Sequence, residues 1–157
     1  MKIFRKEYIK SMKLFFSTEY DHIIIVPMFQ NKAGIYYEKD TCTEYDLSVD
    51  DENLGLEIIS ALNKFEIKEK ELTHSVKSDW PAYKHSKVKT LKLFEENYTF
   101  IEICGFNEKN LVLGIKCEIK KAPFFISSNI SFYTEKAEIG KIVKELYNYS
   151  IKIAGII

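Results

Sequence analysis

Apolar and polar positions in the first part of the chain predict four short strands followed by one helix. The strands are expected at residues 12–18, 22–26, 33–38 and 43–49. The β-branched run that starts at Ile23 is typical of a buried central strand. Asp50 or Asp51 can cap the following helix. Its apolar side chains recur with helical spacing at Leu54, Ile58, Ala61, Leu62 and Phe65. This part of the sequence predicts a ββββα unit.

The second part of the chain repeats this order. Strands are expected at residues 87–94, 98–105, 111–118 and 126–132, and a helix at residues 135–149. The two helices also resemble each other, in the segments DDENLGLEIISALN (50–63) and EKAEIGKIVKELYN (135–148). The pattern predicts an α+β domain over residues 1–157, antiparallel and β-rich, with pseudo-repeats at about 12–65 and 87–149 and a linker at 66–86.

Two details of the helices can be tested in a structure. In the linker, Pro81 directly after Trp80 is typical of a helix start, so a short helix is expected at about residues 80–84. Gly55 and Gly140 each lie inside a predicted helix, where glycine costs about 1 kcal/mol relative to alanine. We therefore expect both glycines where a helix approaches a sheet closely.

Composition predicts a folded protein without a strong net charge. Hydrophobic residues make up 46% of the 157 positions and aromatic residues 14%, which is enough apolar surface to offset the ordering entropy. Lysine plus arginine equals aspartate plus glutamate, at 23 each, so no global field attracts nucleic acid or a membrane. No apolar run approaches a membrane span or a secretion signal, so a cytoplasmic location is expected. The apolar end of the sequence, residues 151–157, is expected to dock on the body or on a second copy.

The sequence offers little support for catalysis. It contains no nucleophile-elbow motif, no phosphate-binding glycine loop and no HExxH zinc motif. The three histidines, His22, His74 and His85, are far apart and are expected at the surface. The odd number of cysteines predicts reduced thiols. We expect no enzyme activity, cofactor or metal, although a triad of Cys42 with a histidine, assembled only in the fold, stays open.

An acidic stretch forms the first candidate binding surface. Between Glu38 and Glu57 the chain carries eight acidic residues against Lys39 alone. Such a stretch can present a negative face to a cationic partner, and it can equally be a solvated face with helix-capping acids. The candidate contacts are Tyr37, Glu44, Tyr45, Asp46, Asp50, Asp51 and Glu52.

A basic and aromatic stretch suggests an alternative function. Lysines that track phosphates and aromatic rings that stack bases are the components of a groove for single-stranded nucleic acid. The candidate residues are Trp80, Tyr83, Lys84, Lys87 and Lys89. Interrupting acids and the neutral overall balance argue against this role, and Trp80 can instead anchor the linker on the core.

Four blocks of the sequence, in order, resemble a known family. They are AGIYYE, DLSVDDENLGLEIISAL, SDWPAYKHSKVKTLKLF and SFYTEKAEIGKIVKEL, and they extend from about residue 33 to residue 147. In order and spacing they resemble the immunity proteins of bacterial contact-dependent growth inhibition. The resemblance implies a small cytoplasmic protein that binds and neutralises the C-terminal domain of a cognate toxin.

The resemblance also implies a mechanism, and the repeated unit by itself resembles a known fold. Several toxins of these systems are ribonucleases, and the cationic cleft of a ribonuclease could be occupied by the acidic stretch as a substitute for substrate. Immunity proteins can also bind away from the active site. The repeated ββββα unit resembles the Whirly fold, which would place two antiparallel sheets together with the helices between or behind them.

Overall fold

The computed structural model describes residues 8–70, 79–107, 110–118, 125–133 and 135–155. In these ranges the strands are β1 (Lys10–Ser17), β2 (His22–Gln30), β3 (Tyr36–Glu38), β4 (Thr43–Tyr45), β5 (Glu66–Ile67), β6 (Thr99–Asn107), β7 (Asn110–Glu118) and β8 (Phe125–Tyr133). The helices are α1 (Asp51–Asn63), α2 (Pro81–His85), α3 (Leu91–Asn97) and α4 (Lys136–Ala154).

The eight strands of the described ranges form one sheet in the order β3-β2-β1-β6-β7-β8, and β4 and β5 also pair with β2. Every pairing is antiparallel except that of β5 with β2. At the centre, β1 and β6 are paired in a register that places Lys13 opposite Glu102. The predicted α+β class with an antiparallel sheet is therefore confirmed.

The first face of the sheet is the one covered by α1 and α4. Alternating side chains of β1 point to this face and are fully buried, namely Met12, Leu14 and Phe16. They pack with aliphatic residues of β2, β6 and β7 and with the buried sides of both helices. Because period-2 strands and period-3.6 helices present their apolar residues to the same layer, this face carries a continuous core.

The second face is the opposite one, and it is covered by α2 and α3. Phe15 of β1 and Ile24, Val26 and Met28 of β2 point to it and form a second cluster with the helices. The helix side of this cluster is largely aromatic and includes Tyr83, Phe94 and Tyr98. Both helices are short, with five and seven residues, so they cover this face with fewer turns than α1 and α4 cover the first.

One predicted strand is wrong. Residues 87–94 are expected to form a strand, but the structure has helix α3 from Leu91. The side chain of Thr90 caps this helix by accepting a hydrogen bond from the backbone N–H of Leu93 at 3.2 Å. Phe94 and Tyr98 then fall on one side of the chain and join the second cluster. The second part of the chain therefore reads αβββα rather than ββββα.

Further expectations concern the arrangement of the sheet, the linker helix, the two glycines inside helices and the repeats. The expected two-sheet Whirly arrangement is not found in the described residues, because their strands form one sheet. The short helix after Trp80 is confirmed as α2. Gly55 and Gly140 are both buried, but Gly140 approaches the backbone of Asp51 in α1 rather than the sheet. That the chain is one domain of two repeats stays a prediction.

The first residues of the apolar segment at the end of the sequence belong to helix α4. Of the apolar segment 151–157, residues 151–154 continue α4, and Ile151 and Ala154 are buried. These residues therefore pack on the body as expected, while residues 156 and 157 lie outside the described residues. Residues 71–78 of the linker also lie outside them, including His74. Among the described helices, none is long and apolar enough to cross a membrane.

Candidate functional site

A cleft of about 400 Å³ opens on the second face of the sheet. We use "the cleft" for the space lined by Lys13, Phe15, Met28, Tyr36, Tyr37, Glu38, Asp79, Trp80, Phe94, Glu95 and Phe100. Aromatic rings are in contact along it, with ring centroids 5.1 Å apart for Phe15 and Phe94 and 6.0 Å apart for Phe15 and Phe100. Its lining is therefore a largely aromatic layer between β1, β6 and α3, with a few charged groups.

Exposed or partly exposed aromatic side chains contribute to the lining. Trp80 directly precedes Pro81 at the start of α2, and 47% of its surface is exposed. Tyr36 and Tyr37 lie on β3, where neighbouring residues point to opposite faces. Accordingly Tyr36 packs near Phe65 of the second cluster, whereas Tyr37 stacks on Phe29 with centroids 5.4 Å apart. The two rings therefore point to opposite sides of β3, which is an edge strand of the sheet, and both border the cleft.

A buried carboxylate lies in the cleft. Glu38 is 9% exposed, and its Oε2 accepts a hydrogen bond from the backbone N–H of Ala82 at 2.9 Å. Its Oε1 is 4.0 Å from Nζ of Lys13. Burial raises the pKa of Glu38, and the hydrogen bond from Ala82 and the charge of Lys13 act in the opposite direction. The Ala82 contact ties β3 to the start of α2, so Glu38 holds one wall of the cleft in place.

Lys13 is the lysine of the cleft lining. It lies on β1 between two buried residues of the first face, so its side chain points to the second face. Its Nζ lies 5.7 Å from the centroid of the Phe100 ring, within the range of a cation–π contact. The side chain is 29% exposed. The cleft thus contains an aromatic surface that already receives a cation.

A second polar group, which we call the Glu44 network, links β2, β4 and the end of α2. Oε2 of Glu44 lies 3.0 Å from Nε2 of His22, and Oε1 lies 2.7 Å from Nδ1 of His85. Nδ1 of His22 lies 2.9 Å from the hydroxyl of Tyr98. The expectation of a surface position is wrong for His22, which is buried because both of its ring nitrogens have polar partners in the fold.

Ionisation of the Glu44 network follows from these contacts. Burial lowers the pKa of His22, and the hydrogen bond with Glu44 opposes this effect. For Glu44, burial acts to raise the pKa, but the hydrogen bonds from His85 and His22 together hold it below its ordinary value. The network therefore favours a charged carboxylate between two imidazoles, and it fixes the position of β4.

Residues of the predicted acidic surface have several structural roles. Asp50 caps α1 by accepting from the backbone N–H of Asn53 at 2.8 Å, which lowers the pKa of Asp50. Asp51 forms an ion pair with Lys144 of α4 at 3.1 Å. Tyr45 packs against the core of the first face. The exposed acids of the set are Asp46 and Glu52, besides Glu44 and the capping Asp50. Tyr37 is the member of this set that lines the cleft.

The residues of the predicted basic surface also lie in different environments. Tyr83 is buried, and its hydroxyl donates a hydrogen bond to the carbonyl of Lys89 at 2.7 Å, so its ring packs in the core rather than facing bases. Lys84, Lys87 and Lys89 are exposed, and Nζ of Lys87 donates to the carbonyl of Tyr20 at 3.3 Å. Trp80 lines the cleft instead. The structure does not join Tyr83 and Trp80 into one stacking platform.

Neither a metal site nor a reactive Cys42 thiol is found in the residues that the structure describes. There, no group of three or more His, Cys, Asp or Glu side chains is placed to hold a metal ion. Cys42 donates a weak hydrogen bond to the carbonyl of Lys39, and burial raises the pKa of its thiol to about 12. A protonated thiol is a poor nucleophile. Cys42 is therefore a packing residue, in contact with the second cluster.

Sequence reasoning missed the central residues of the cleft. Lys13 interrupts an apolar strand, and this single polar position was the signal that could have marked the second face as incompletely covered. Glu38 appeared only as one acid of a charged stretch. The closeness of Lys13, Glu38 and Phe100 depends on the pairing of distant strands, which the sequence alone does not give.

Comparison with known proteins places the fold. No family model matches the sequence, and no curated protein matches it significantly. A protein of unknown function from Neisseria meningitidis is similar with a TM-score of 0.63 and 16% identity, and the match covers 96% of each chain. A chain of the CdiA-CT/CdiI toxin and immunity complex from Yersinia pseudotuberculosis is similar with a TM-score of 0.61 and 14% identity. That match covers 85% of this chain and 92% of the other. The fold is shared.

Proposed function

We propose that this protein is an immunity protein of a contact-dependent growth inhibition system, acting in the bacterial cytoplasm. The observation that carries the proposal is the fold shared with a chain of the toxin and immunity complex over 85% of this chain. The order of the four sequence blocks, from residue 33 to residue 147, supports it independently. The partner is the C-terminal domain of a cognate toxin.

We propose that the toxin binds at the cleft and its surroundings. Aromatic side chains are enriched among the central contacts of protein interfaces, and Trp80 is an exposed aromatic residue of the cleft. Tyr37 and Glu38 belong to the same lining. The exposed acids Asp46 and Glu52, which lie outside the cleft lining, would add long-range attraction to a cationic partner. A ribonuclease fits this chemistry because its active cleft must hold phosphates and is cationic.

Neutralisation would proceed by stoichiometric binding, without a reaction catalysed by this chain. The buried histidine of the Glu44 network has both ring nitrogens engaged, by Tyr98 and Glu44. The thiol of Cys42 is held in its protonated form. These groups are used to hold the fold together, which supports a binding role. The toxin would be inhibited by occlusion of its active cleft or of the path of its substrate.

Co-expression tests this function. The chain and the toxin domain encoded beside it are produced together, and growth and co-purification are measured. We expect a one-to-one complex and normal growth, against arrested growth with the toxin domain alone. Two results would contradict the proposal. The chain could arrest growth when produced alone, which would make it the toxic partner, or it could fail to bind or protect.

A nucleic-acid assay separates the alternative role. Binding of single-stranded oligonucleotides at physiological salt is measured for the wild type and for a variant with Lys84, Lys87 and Lys89 replaced by glutamine. The proposed function predicts no micromolar affinity in either protein. Micromolar affinity that falls steeply with salt and disappears in the variant would favour a nucleic-acid-binding function.

A further inference from the structure

We propose that the cleft binds a guanidinium group, supplied by an arginine side chain of the protein partner, on the carboxylate of Glu38 and the aromatic rings around it. The identity of the protein that carries the arginine rests on the proposed function. The affinity of the cleft for a guanidinium does not, because it follows from groups that lie in this chain.

The carboxylate of Glu38 has room for another hydrogen-bond donor. An ionised carboxylate offers about four acceptor positions on its two oxygens. Oε2 accepts from Ala82, whereas Oε1 faces Nζ of Lys13 at 4.0 Å, which is longer than a hydrogen bond. A donor that enters the cleft can therefore bond to Oε1 while the structural contact with Ala82 stays intact.

The aromatic part of the cleft suits a flat cation. Phe100 already has the ammonium of Lys13 over its ring at 5.7 Å. Trp80, the ring that attracts cations best, is half exposed in the same lining. A guanidinium is planar, weakly hydrated and able to stack on rings while it donates to a carboxylate, whereas an ammonium is a strongly hydrated point charge. These properties favour arginine over lysine as the occupant.

The charges of the cleft favour a cation over an anion. Within the described part of the chain its lining contains three acidic residues, Glu38, Asp79 and Glu95, and one basic residue, Lys13. Lys13 is an internal cation at the position where the ligand would bind. Because its side chain is long and 29% exposed, it can move toward solvent when an arginine enters. Lys13 is therefore expected to compete with the ligand, and its removal should strengthen binding.

The test uses small probes and the fluorescence of Trp80, which is the only tryptophan of the chain. N-acetyl-arginine amide is titrated into the protein and compared with the neutral isostere N-acetyl-citrulline amide and with N-acetyl-lysine amide. We expect saturable binding of the arginine probe, with at least about tenfold weaker binding of the citrulline probe, as for loss of a charge-assisted hydrogen bond. The lysine probe should bind more weakly than the arginine probe.

Two variants give opposite expected signs. Glu38→Gln keeps an oxygen that can accept from Ala82 but removes the charge, so the arginine probe should bind about tenfold more weakly. Lys13→Met removes the internal cation, so the same probe should bind several-fold more tightly. Glu145→Gln is the matched control, since Glu145 is an exposed acid of α4 that pairs with Lys141. It should bind the probe as the wild type does. Thermal unfolding of each variant shows whether it is folded.

Several results would overturn the proposal. Equal binding of the arginine and citrulline probes would exclude recognition of charge, and equal binding of the lysine probe would exclude guanidinium selectivity. Weaker binding after Lys13→Met would identify Lys13 as the ligand-binding group, and so would tighter binding of N-acetyl-glutamate amide. Absence of saturable arginine binding to folded Lys13→Met also contradicts the proposal.

Toxin capture separates this inference from the proposed function. If the probe binds as expected but the toxin domain is not captured, the function is wrong and the cleft chemistry stands. If the toxin domain is captured equally by the wild type and by folded Glu38→Gln, the function stands and the arginine anchor is wrong.

Discussion

The two faces of the sheet are built from different kinds of residue. Under α1 and α4, the first face buries aliphatic side chains such as Leu14, Ile101 and Leu113 almost completely. Under α2 and α3, the second face is rich in aromatic rings, and in the described residues the buried polar side chains of the sheet point to it, namely Ser11, Ser17, His22 and Glu38. The layer under the long helices supplies an apolar core, while the other layer keeps polar groups that need specific partners.

This difference indicates a division of roles. Burying a polar group costs free energy unless it is hydrogen-bonded, so a layer that only had to stabilise the fold would be expected to avoid such groups. Sequences depart from simple apolar packing mainly at functional sites. The second face contains the cleft, the Glu44 network and the half-exposed Trp80. We therefore expect the first face to contribute most of the stability, and we propose the second face as the recognition surface.

The largest expected effect is a loss of stability on the first face, caused by a substitution at Gly140. A Cβ at this position would collide with the backbone carbonyl of Asp51, so α1 and α4 would have to move apart. We expect Gly140→Ala to lower the free energy of unfolding by about 3 kcal/mol, at the upper end for overpacking. Urea-induced unfolding followed by circular dichroism measures it.

Gly155 provides the matched control for this substitution. It ends α4 with a φ of 69°, and nothing lies near its missing Cβ. Gly155→Ala should cost only about 1 kcal/mol, from the left-handed backbone alone. Equal effects of the two substitutions would show that close contact between α1 and α4 does not contribute to the stability of the first face.

On the second face, the largest expected effect is on binding. Trp80→Ala should weaken the complex with the toxin domain by about 2 kcal/mol, or about 30-fold in Kd, if Trp80 is a central contact. The free energy of unfolding of the variant should differ little from that of the wild type, because the Trp80 side chain is half exposed. Isothermal titration calorimetry measures Kd. Tyr149→Ala, at an exposed aromatic of α4, is the control and should leave Kd unchanged. A larger loss with the control would place the interface on α4.

The elements that the sequence predicted are those with strong local patterns. The apolar runs of β1 and β2 and the helical spacing of α1 and α4 are properties of contiguous residues, and each was predicted. Helix α3 was predicted as a strand because a short segment such as LKLF fits both periods. Its cap by Thr90 was the local feature that distinguishes the two.

The candidate site was predicted only in part, for a different reason. Trp80 and Tyr37 are conspicuous in the sequence, but each was assigned to a different surface, and the structure brings both to the cleft. The buried ring of His22 has its hydrogen-bond partners, Glu44 and Tyr98, 22 and 76 positions away in the sequence. Such contacts depend on strand order, which local patterns do not determine.

A smaller effect, on the stability of the protein at low pH, is expected at the Glu44 network. Burial lowers the pKa of His22, so the unfolded state binds the proton first and stability is lost as pH falls below the ordinary histidine value of about 6.5. Glu44→Gln removes a carboxylate that favours protonated His22. It should cost about 1 kcal/mol at pH 7.5, since Glu44 is half exposed, and stability should then fall more steeply toward pH 5 than in the wild type.

Urea unfolding at pH 7.5, 6 and 5 measures this difference, with Glu145→Gln as the control for loss of an exposed acid. Parallel pH profiles for Glu44→Gln and the wild type would show that the network does not couple His22 to folding. The stability contributed by the second face would then not depend on the ionisation of its buried polar groups.

The smallest effect is expected at the exposed acids outside the cleft. Replacing Asp46 by Asn and Glu52 by Gln should change the free energy of unfolding by less than about 0.5 kcal/mol, because both side chains are exposed. If recognition is centred on the second face, these charges act only through long-range attraction to a cationic toxin. Association should then slow by about threefold at low salt and by less at high salt, while dissociation is unchanged. Stopped-flow mixing at several salt concentrations measures both rates. If the association rate is unchanged in this variant but falls after neutralisation of Lys84 and Lys89, the partner is attracted by the lysines of α2 and of the segment after it, and is itself acidic.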